Sequence, residues 1–182
     1  TLIDRIPCRC ALSITAAVVS SPKFFPPGAR ALDDPPDGLR PGLAAEYFVG
    51  TDLKSATLRR IDPTLDFDWR RSSPSRSVPP DGFSARWTGW FKAPVSGTYT
   101  FFVVVNDGLR LRLGEELVVD HWTSSGYSSW TGAGDAHLVA GWYPITAEYF
   151  EKRDTARLVV VAGVDSSEYP LELAQHLFHE PR

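Results

Sequence analysis

The residues best suited to chemistry in this chain are Asn106 and Asp107, followed at once by Gly108. They interrupt a long apolar stretch, Thr98 to Val105 (TYTFFVVV), with the only polar break it has. An amide and a carboxylate side by side on a loop make a small oxygen-rich site, and Gly108 supplies backbone freedom at the tip. The same triplet is also a good turn, because Asn and Asp side chains bond their own backbone. Spacing alone leaves both readings open. Trp122 and Trp130 could offer flat faces to sugar rings, although large aromatics are more often core. Burial is expected for Trp122, whereas Trp130, in a polar glycine-rich loop, is open to either role.

Other candidate chemistry is thin. Glycoside hydrolysis needs two carboxylates facing each other at roughly 5–9.5 Å, and 22 acidic residues make some pair inevitable without making it catalytic. No G-x-S-x-G elbow, HExxH helix or phosphate-binding glycine loop is present, and His121 with Ser124 and Ser125 is no triad. The chain is therefore read as non-catalytic, though such a module could be fused to an enzyme. His176 and His179 stand three apart without a carboxylate or Cys to complete a metal set, and an exposed amphipathic tail is the expectation there. Cys8 and Cys10 are too close to bridge each other and lack a second pair for zinc. Arg70, Arg71 and Arg76 flank a proline-rich loop and are read as solvated.

The elements that would position the tip are strands. Phe83 to Lys92 alternates a buried face with a mixed one, and Pro94 ends it, since proline cannot donate into a ladder. Thr98 to Val105 has the β-branched and aromatic content of a strand buried on most of its surface. Leu109, Leu111 and Leu113 alternate with Arg110 and Arg112, and Gly114-Glu115 closes a hairpin into Leu117 to Asp120. The segment His121 to His137 reads as a long loop. Strand character resumes over Leu138 to Ala140, Trp142 to Phe150 and Ala156 to Ala162. Upstream, Leu65, Phe67 and Trp69 alternate with Asp66 and Asp68. About nine short strands separated by turns indicate an all-β sandwich or barrel. Leu171 to Phe178 has helical spacing instead and predicts a short C-terminal helix.

These patterns divide the chain into an irregular extension over 1–41, a module over 42–163 and a tail over 164–182. Pro22 to Pro41 is too rich in proline and glycine for a helix or a central strand and reads as a linker. Ala11 to Ser20 is apolar but about half the length needed to cross a bilayer, so it is either a remnant of a signal or membrane flank, or a first strand. A chain of 182 residues with a net charge of −3 can bury one good core, but it gives no electrostatic case for nucleic acid or for anionic lipid.

In order, GLAAEYF, IDPTLDFDW, FSARWTGWFKAPVSGTYTF, VNDGLRLRLGEELVVDHW, LVAGWYPITAEYFE and ARLVVV resemble the signature blocks of the PA-fourteen domain. This family is named from anthrax protective antigen and occurs in yeast flocculins, epithelial adhesins and bacterial glycosidases. The resemblance covers about Gly42 to Gly163 and implies an antiparallel β-sandwich or flattened barrel. It further implies a lectin-like, glycan-binding site in which two adjacent acidic residues, commonly joined by a cis peptide, hold Ca2+, while a second loop selects the sugar. The pair falls on Asn106 and Asp107, and the second loop on Glu151, Lys152, Arg153 and Asp154. The metal ligands would be Asn106, Asp107, Glu151 and Asp154, since calcium takes hard oxygens from flexible acidic loops. Asn106 stands where Asp is commoner, which removes a negative charge, and Lys152 and Arg153 oppose a cation unless they point away. The implied setting is extracellular, at the cell surface or periplasmic, in an adhesion role, with any membrane attachment through parts outside this chain. The alternative is a structural or interaction domain, without calcium or glycan, on the extracytoplasmic side of a larger membrane protein or enzyme.

Overall fold

The computed structural model describes residues 32, 34–126, 128–165, 167 and 170–181. The readings made for Cys8, Cys10 and Ala11 to Ser20 lie outside these residues. Among the described residues, no helix is long and apolar enough to cross a membrane.

Among the described residues, twelve strands run in order: β1 Arg40–Pro41, β2 Leu43–Val49, β3 Ala56–Asp62, β4 Asp66–Arg70, β5 Phe83–Ala93, β6 Gly97–Asn106, β7 Gly108–Leu113, β8 Glu116–His121, β9 Ser129–Leu138, β10 Gly141–Glu151, β11 Ala156–Val164 and β12 Leu177–His179. They form two antiparallel sheets that do not close into a barrel. The larger sheet follows the path β1-β12-β5-β10-β7-β8, with β2 added to β5 and β3 to β2. The smaller is β4-β11-β6-β9. This is the all-β sandwich that strand alternation predicts, because each sheet must cover its apolar face with the other.

The core lies between the sheets. On β5, Phe83, Ala85, Trp87 and Phe91 point inward, and on β10 Tyr143, Ile145, Ala147 and Tyr149 do so. Opposite them, Tyr99, Phe101, Val103 and Val105 of β6 meet Leu158 and Val160 of β11. The alternation Leu65, Phe67, Trp69 holds as read: Phe67 stacks on Trp69 at 4.7 Å and on Trp87 at 5.4 Å. Asp62 is a carboxylate buried against this core. Asp62 accepts hydrogen bonds from the Tyr47 hydroxyl at 2.6 Å, Trp87 Nε1 at 2.8 Å and Arg60 Nε at 2.6 Å, so it is compensated.

Some sequence expectations change, and one strand had not been read. Ser129–Leu138, read as loop, is a ten-residue strand paired along all of β6. Its glycines hide it, yet a Cβ at Gly132 would overlap the Trp130 ring and one at Gly134 the Val118 carbonyl, so the missing side chains are a packing requirement. Ala56–Asp62, whose Ala56, Leu58, Arg60 and Asp62 alternate with the exposed Thr57, Arg59 and Ile61, is also a strand, on the outer edge of β2. β6 is buried or half-buried along most of its length, as read, and the exception is Phe102, 49% exposed on the outer face of the smaller sheet, which carries no third layer. The predicted C-terminal helix is a single 3₁₀ turn, Leu173–Gln175, followed by β12, and the tail is not an exposed amphipath. β2 occupies one edge of β5 only as far as Thr88. β12 pairs on at Trp90 and Phe91, with Leu177 accepting a hydrogen bond from Gly42 N at 2.9 Å. Unpaired backbone donors at that edge favour a strand over the local helical preference.

Candidate functional site

The two sheets exchange the chain repeatedly at one end of the sandwich. β4 passes to β5, β6 to β7, β8 to β9 and β10 to β11, each time from one sheet to the other. Because β6 pairs with β11 and β7 with β10, the corner at Asn106-Asp107 must lie beside the corner at Lys152 to Thr155. Topology thus brings residues forty-five positions apart into contact.

Asp107 makes its corner with φ +59°, and the 106–107 peptide is trans, as is every other described peptide bond. The cis geometry implied by the resemblance is not found. Positive φ on a non-glycine residue favours Asp or Asn, whose short side chains tolerate it. Gly108 serves differently from the sequence reading. Its φ is unexceptional, but a Cβ there would overlap the Phe150 ring packed over it.

Asn106, Asp107 and Glu151 are all buried, at 1%, 1% and 0% exposure. Asp107 accepts from Ser124 Oγ at 2.6 Å and Ser125 N at 2.9 Å on one oxygen, and from Lys152 N at 2.8 Å on the other. Asn106 donates its amide to Thr155 Oγ1 at 3.2 Å, which leaves its Oδ1 buried without a partner. Glu151 Oε2 accepts from the Tyr149 hydroxyl at 3.2 Å, and its Oε1 is likewise buried without a partner. Burial, and next the nearby Asp107 charge, push the Glu151 carboxyl up to about 8. The Tyr149 hydroxyl and the nearby Arg153 backbone N–H oppose that rise only in part.

The remaining residues of the second loop face elsewhere. Asp154, at φ +90°, pairs with Arg71 at 3.1 Å, and its backbone N–H donates to Asp81 at 2.9 Å. Arg71 is 81% exposed, in keeping with its reading as solvated, and reaches Asp154 from the surface. Lys152 and Arg153 are exposed. Lys152 borders a cavity of about 280 Å³ with Thr51, Trp122, Ser124 and Phe150. Trp122 was expected in the core. It is instead half-buried on this cavity, edge-on to Phe150 at 4.9 Å and under the Arg110 guanidinium at 4.7 Å. Trp130 stacks on His121 at 4.2 Å and packs against the core. Burial pushes the His121 imidazole below its ordinary value despite Asp107 and Asp120 nearby.

Sequence reasoning missed Ser124, Ser125, Thr155, Asp81 and Thr51. Nothing in a polar Ser/Gly loop distinguishes the serine that will meet Asp107, so no local signal could have found it.

A buried oxygen without a hydrogen-bond partner on each of Asn106 and Glu151, with the Asp107 carboxylate close to Glu151, is the kind of oxygen set a hard cation takes. Among the described residues, no three His, Cys, Asp or Glu side chains converge on one point, so the oxygens come as two carboxylates and one amide.

The sequence matches the PA14 domain over residues 39–174, most of the chain. It belongs to the PA14 family. The match extends the PA14 region beyond β11 and the isolated bridge between Ala162 and Leu171. Over 116 residues the chain is 38% identical to anti-sigma-I factor RsgI3 of Acetivibrio thermocellus, covering 63% of this chain and 18% of that protein. A solved anti-sigma factor domain-containing protein from Clostridium clariflavum is 30% identical, with a TM-score of 0.71, over 79% of this chain and 49% of its own. This PA14 chain therefore spans about a fifth of the curated relative and about half of the solved one. The A domain of epithelial adhesin 6 from Candida glabrata, solved in complex with Galβ1-3GlcNAc, shares the fold at a TM-score of 0.65 and 14% identity, over 82% of this chain and 92% of that one.

Proposed function

We propose that this PA14 domain is a non-catalytic carbohydrate-binding module with a calcium-dependent site at the Asn106-Asp107 corner. The observation that carries this reading is the pair of buried, unpartnered oxygens, Asn106 Oδ1 and Glu151 Oε1, next to the Asp107 carboxylate. Leaving two such atoms unsatisfied costs about 1–3 kcal/mol each, a cost that a cation would remove. Calcium, when bound, would hold sugar hydroxyls in place of its own water.

The chain's residues take separate parts. Asn106, Asp107 and Glu151 would hold the ion. Ser124, Ser125 and the Lys152 backbone orient Asp107, while Arg71 and Asp81 hold the Asp154 turn, so Asp154 shapes the loop in place of ligating. Trp122 and Phe150 wall the cavity with apolar surface suited to a sugar's C–H face, and Lys152 at its rim meets the saccharide instead of the ion. Complex formation with Galβ1-3GlcNAc by a fold neighbour supports the glycan class. The anti-sigma factor relatives support placing the module on the extracytoplasmic side of a larger regulator, where glycan occupancy would be its input.

A second reading, a purely structural corner, is favoured by one observation: both Asp107 oxygens already have donors within the chain. Titration calorimetry with calcium and a glycan panel separates the two. Calcium uptake lost in Glu151→Gln, and sugar binding lost with chelator, are expected; sugar binding indifferent to both would leave only the structural corner.

A further inference from the structure

The outer face of the larger sheet holds a second concavity, at the end opposite the Asn106-Asp107 corner. Along most of this face, cross-strand charges neutralise one another: Arg86 pairs with Glu148 at 2.9 Å, Arg110 with Asp120 at 3.2 Å and Arg59 with Glu46 at 2.8 Å. Two residues further along β5 and β10 the pattern changes. Thr146 lies opposite Thr88, and Pro144 opposite Trp90. Ala44 and Gly89 make a floor of small residues, and Glu180 and Pro181, just past β12, form a wall. The result is a cavity of about 440 Å³. That volume lies within the usual range for small-molecule sites.

We propose that this cleft is a second saccharide-binding site, independent of calcium, that takes one or two units of a neutral glycan. Trp90 is half-buried, and its Nε1 donates to Glu180 Oε1 at 3.2 Å, which holds the indole in one orientation. A large apolar ring, two hydroxyls and a carboxylate acceptor on a concave floor are the groups that recognise a sugar's C–H face and its hydroxyls. The cleft is lined by the Glu180 carboxylate and by no Lys or Arg, with the largely buried His179 beside it, so it disfavours phosphates and acidic sugars. The six residue-to-residue steps of β10 from Pro144 to Phe150 put the cleft about 20 Å from the first site, by the rise of a strand. Two sites so placed on one module would let it grip a single polysaccharide chain or cross-link two, raising avidity without any new contact.

The test uses the whole chain labelled with ¹⁵N, in excess chelator, with the Trp90 indole N–H resonance assigned through Trp90→Phe. Cellohexaose, xylohexaose and laminarihexaose are titrated to millimolar concentration. At least one is expected to move that resonance saturably, with affinity about tenfold weaker in Thr146→Val and unchanged in Glu151→Gln. The proposal is overturned if none of the three probes moves it, if Thr146→Val binds as well as the parent, or if the resonance moves on dilution of the protein alone, which marks self-association. Loss of the chelator-resistant shift leaves the calcium-dependent reading standing, and loss of calcium uptake leaves this one standing.

Discussion

The Asp107 carboxylate accepts a hydrogen bond at 2.8 Å from the backbone N–H of Lys152, which ties the β6–β7 corner to the β10–β11 corner. With Ser124 and Ser125 on the other oxygen, one side chain fastens three of the loops that cross between the sheets. Glu151, one residue before Lys152, is left buried with an unpartnered oxygen beside that charge. The arrangement keeps two acids close together away from water. Such closeness is costly, and it is the cost that the proposed cation would relieve.

Asp107→Ala removes three charge-assisted hydrogen bonds and leaves their donors without an acceptor. A loss of about 3 kcal/mol is expected from urea unfolding, against about 1 kcal/mol for Ser124→Ala, which removes a single donor. Equal effects from the two variants would show that Asp107 does not join the loops.

Glu151 makes stability depend on pH in a defined direction. Between its ordinary value of 4.5 and about 8, the folded chain keeps a proton on Glu151 that the unfolded chain has released. The native state then binds more protons, so the stability of the metal-free protein falls as pH rises through that window and levels off above it. Thermal unfolding in chelator is expected to give a lower Tm at about pH 8 than at about pH 5, with most of that difference abolished in Glu151→Gln. A parent slope that persists unchanged in the variant assigns the effect to other groups.

Gly108 and Gly163 form a matched pair of controls. A Cβ at Gly108 overlaps the Phe150 ring, whereas at Gly163 it meets nothing within 4 Å. Gly108→Ala should cost about 1–3 kcal/mol by overpacking, and Gly163→Ala should be neutral within about 0.5 kcal/mol, both read from denaturant midpoints.

Much of the fold was legible because strand periodicity is local. Phe83 to Ala93 and Gly141 to Glu151 declare their inward faces every second residue, and a single hydrophobic layer between two sheets is the only way to bury them both. Where local signal and tertiary demand part, the reading failed. Ser129–Leu138 looks like loop because glycines at 132 and 134 make room for an indole and a carbonyl. Leu171 to Phe178 looks helical, yet its end becomes strand because β5 has a free edge beyond Thr88.

The site divides along the same line. Residue types by themselves determined that Asn106 and Asp107 sit at a polar tip with oxygen to offer, and resemblance set Glu151 to Asp154 beside them. Only the tertiary structure decided which of these turn inward: Asn106, Asp107 and Glu151 do, while Asp154 goes to Arg71 and Lys152 to the rim. Only it could bring Ser124 and Trp122 to the same corner. The physical reason is that alternation along a strand specifies a face, but partners across a corner are set by which strands the two sheets place side by side, a property of the whole chain.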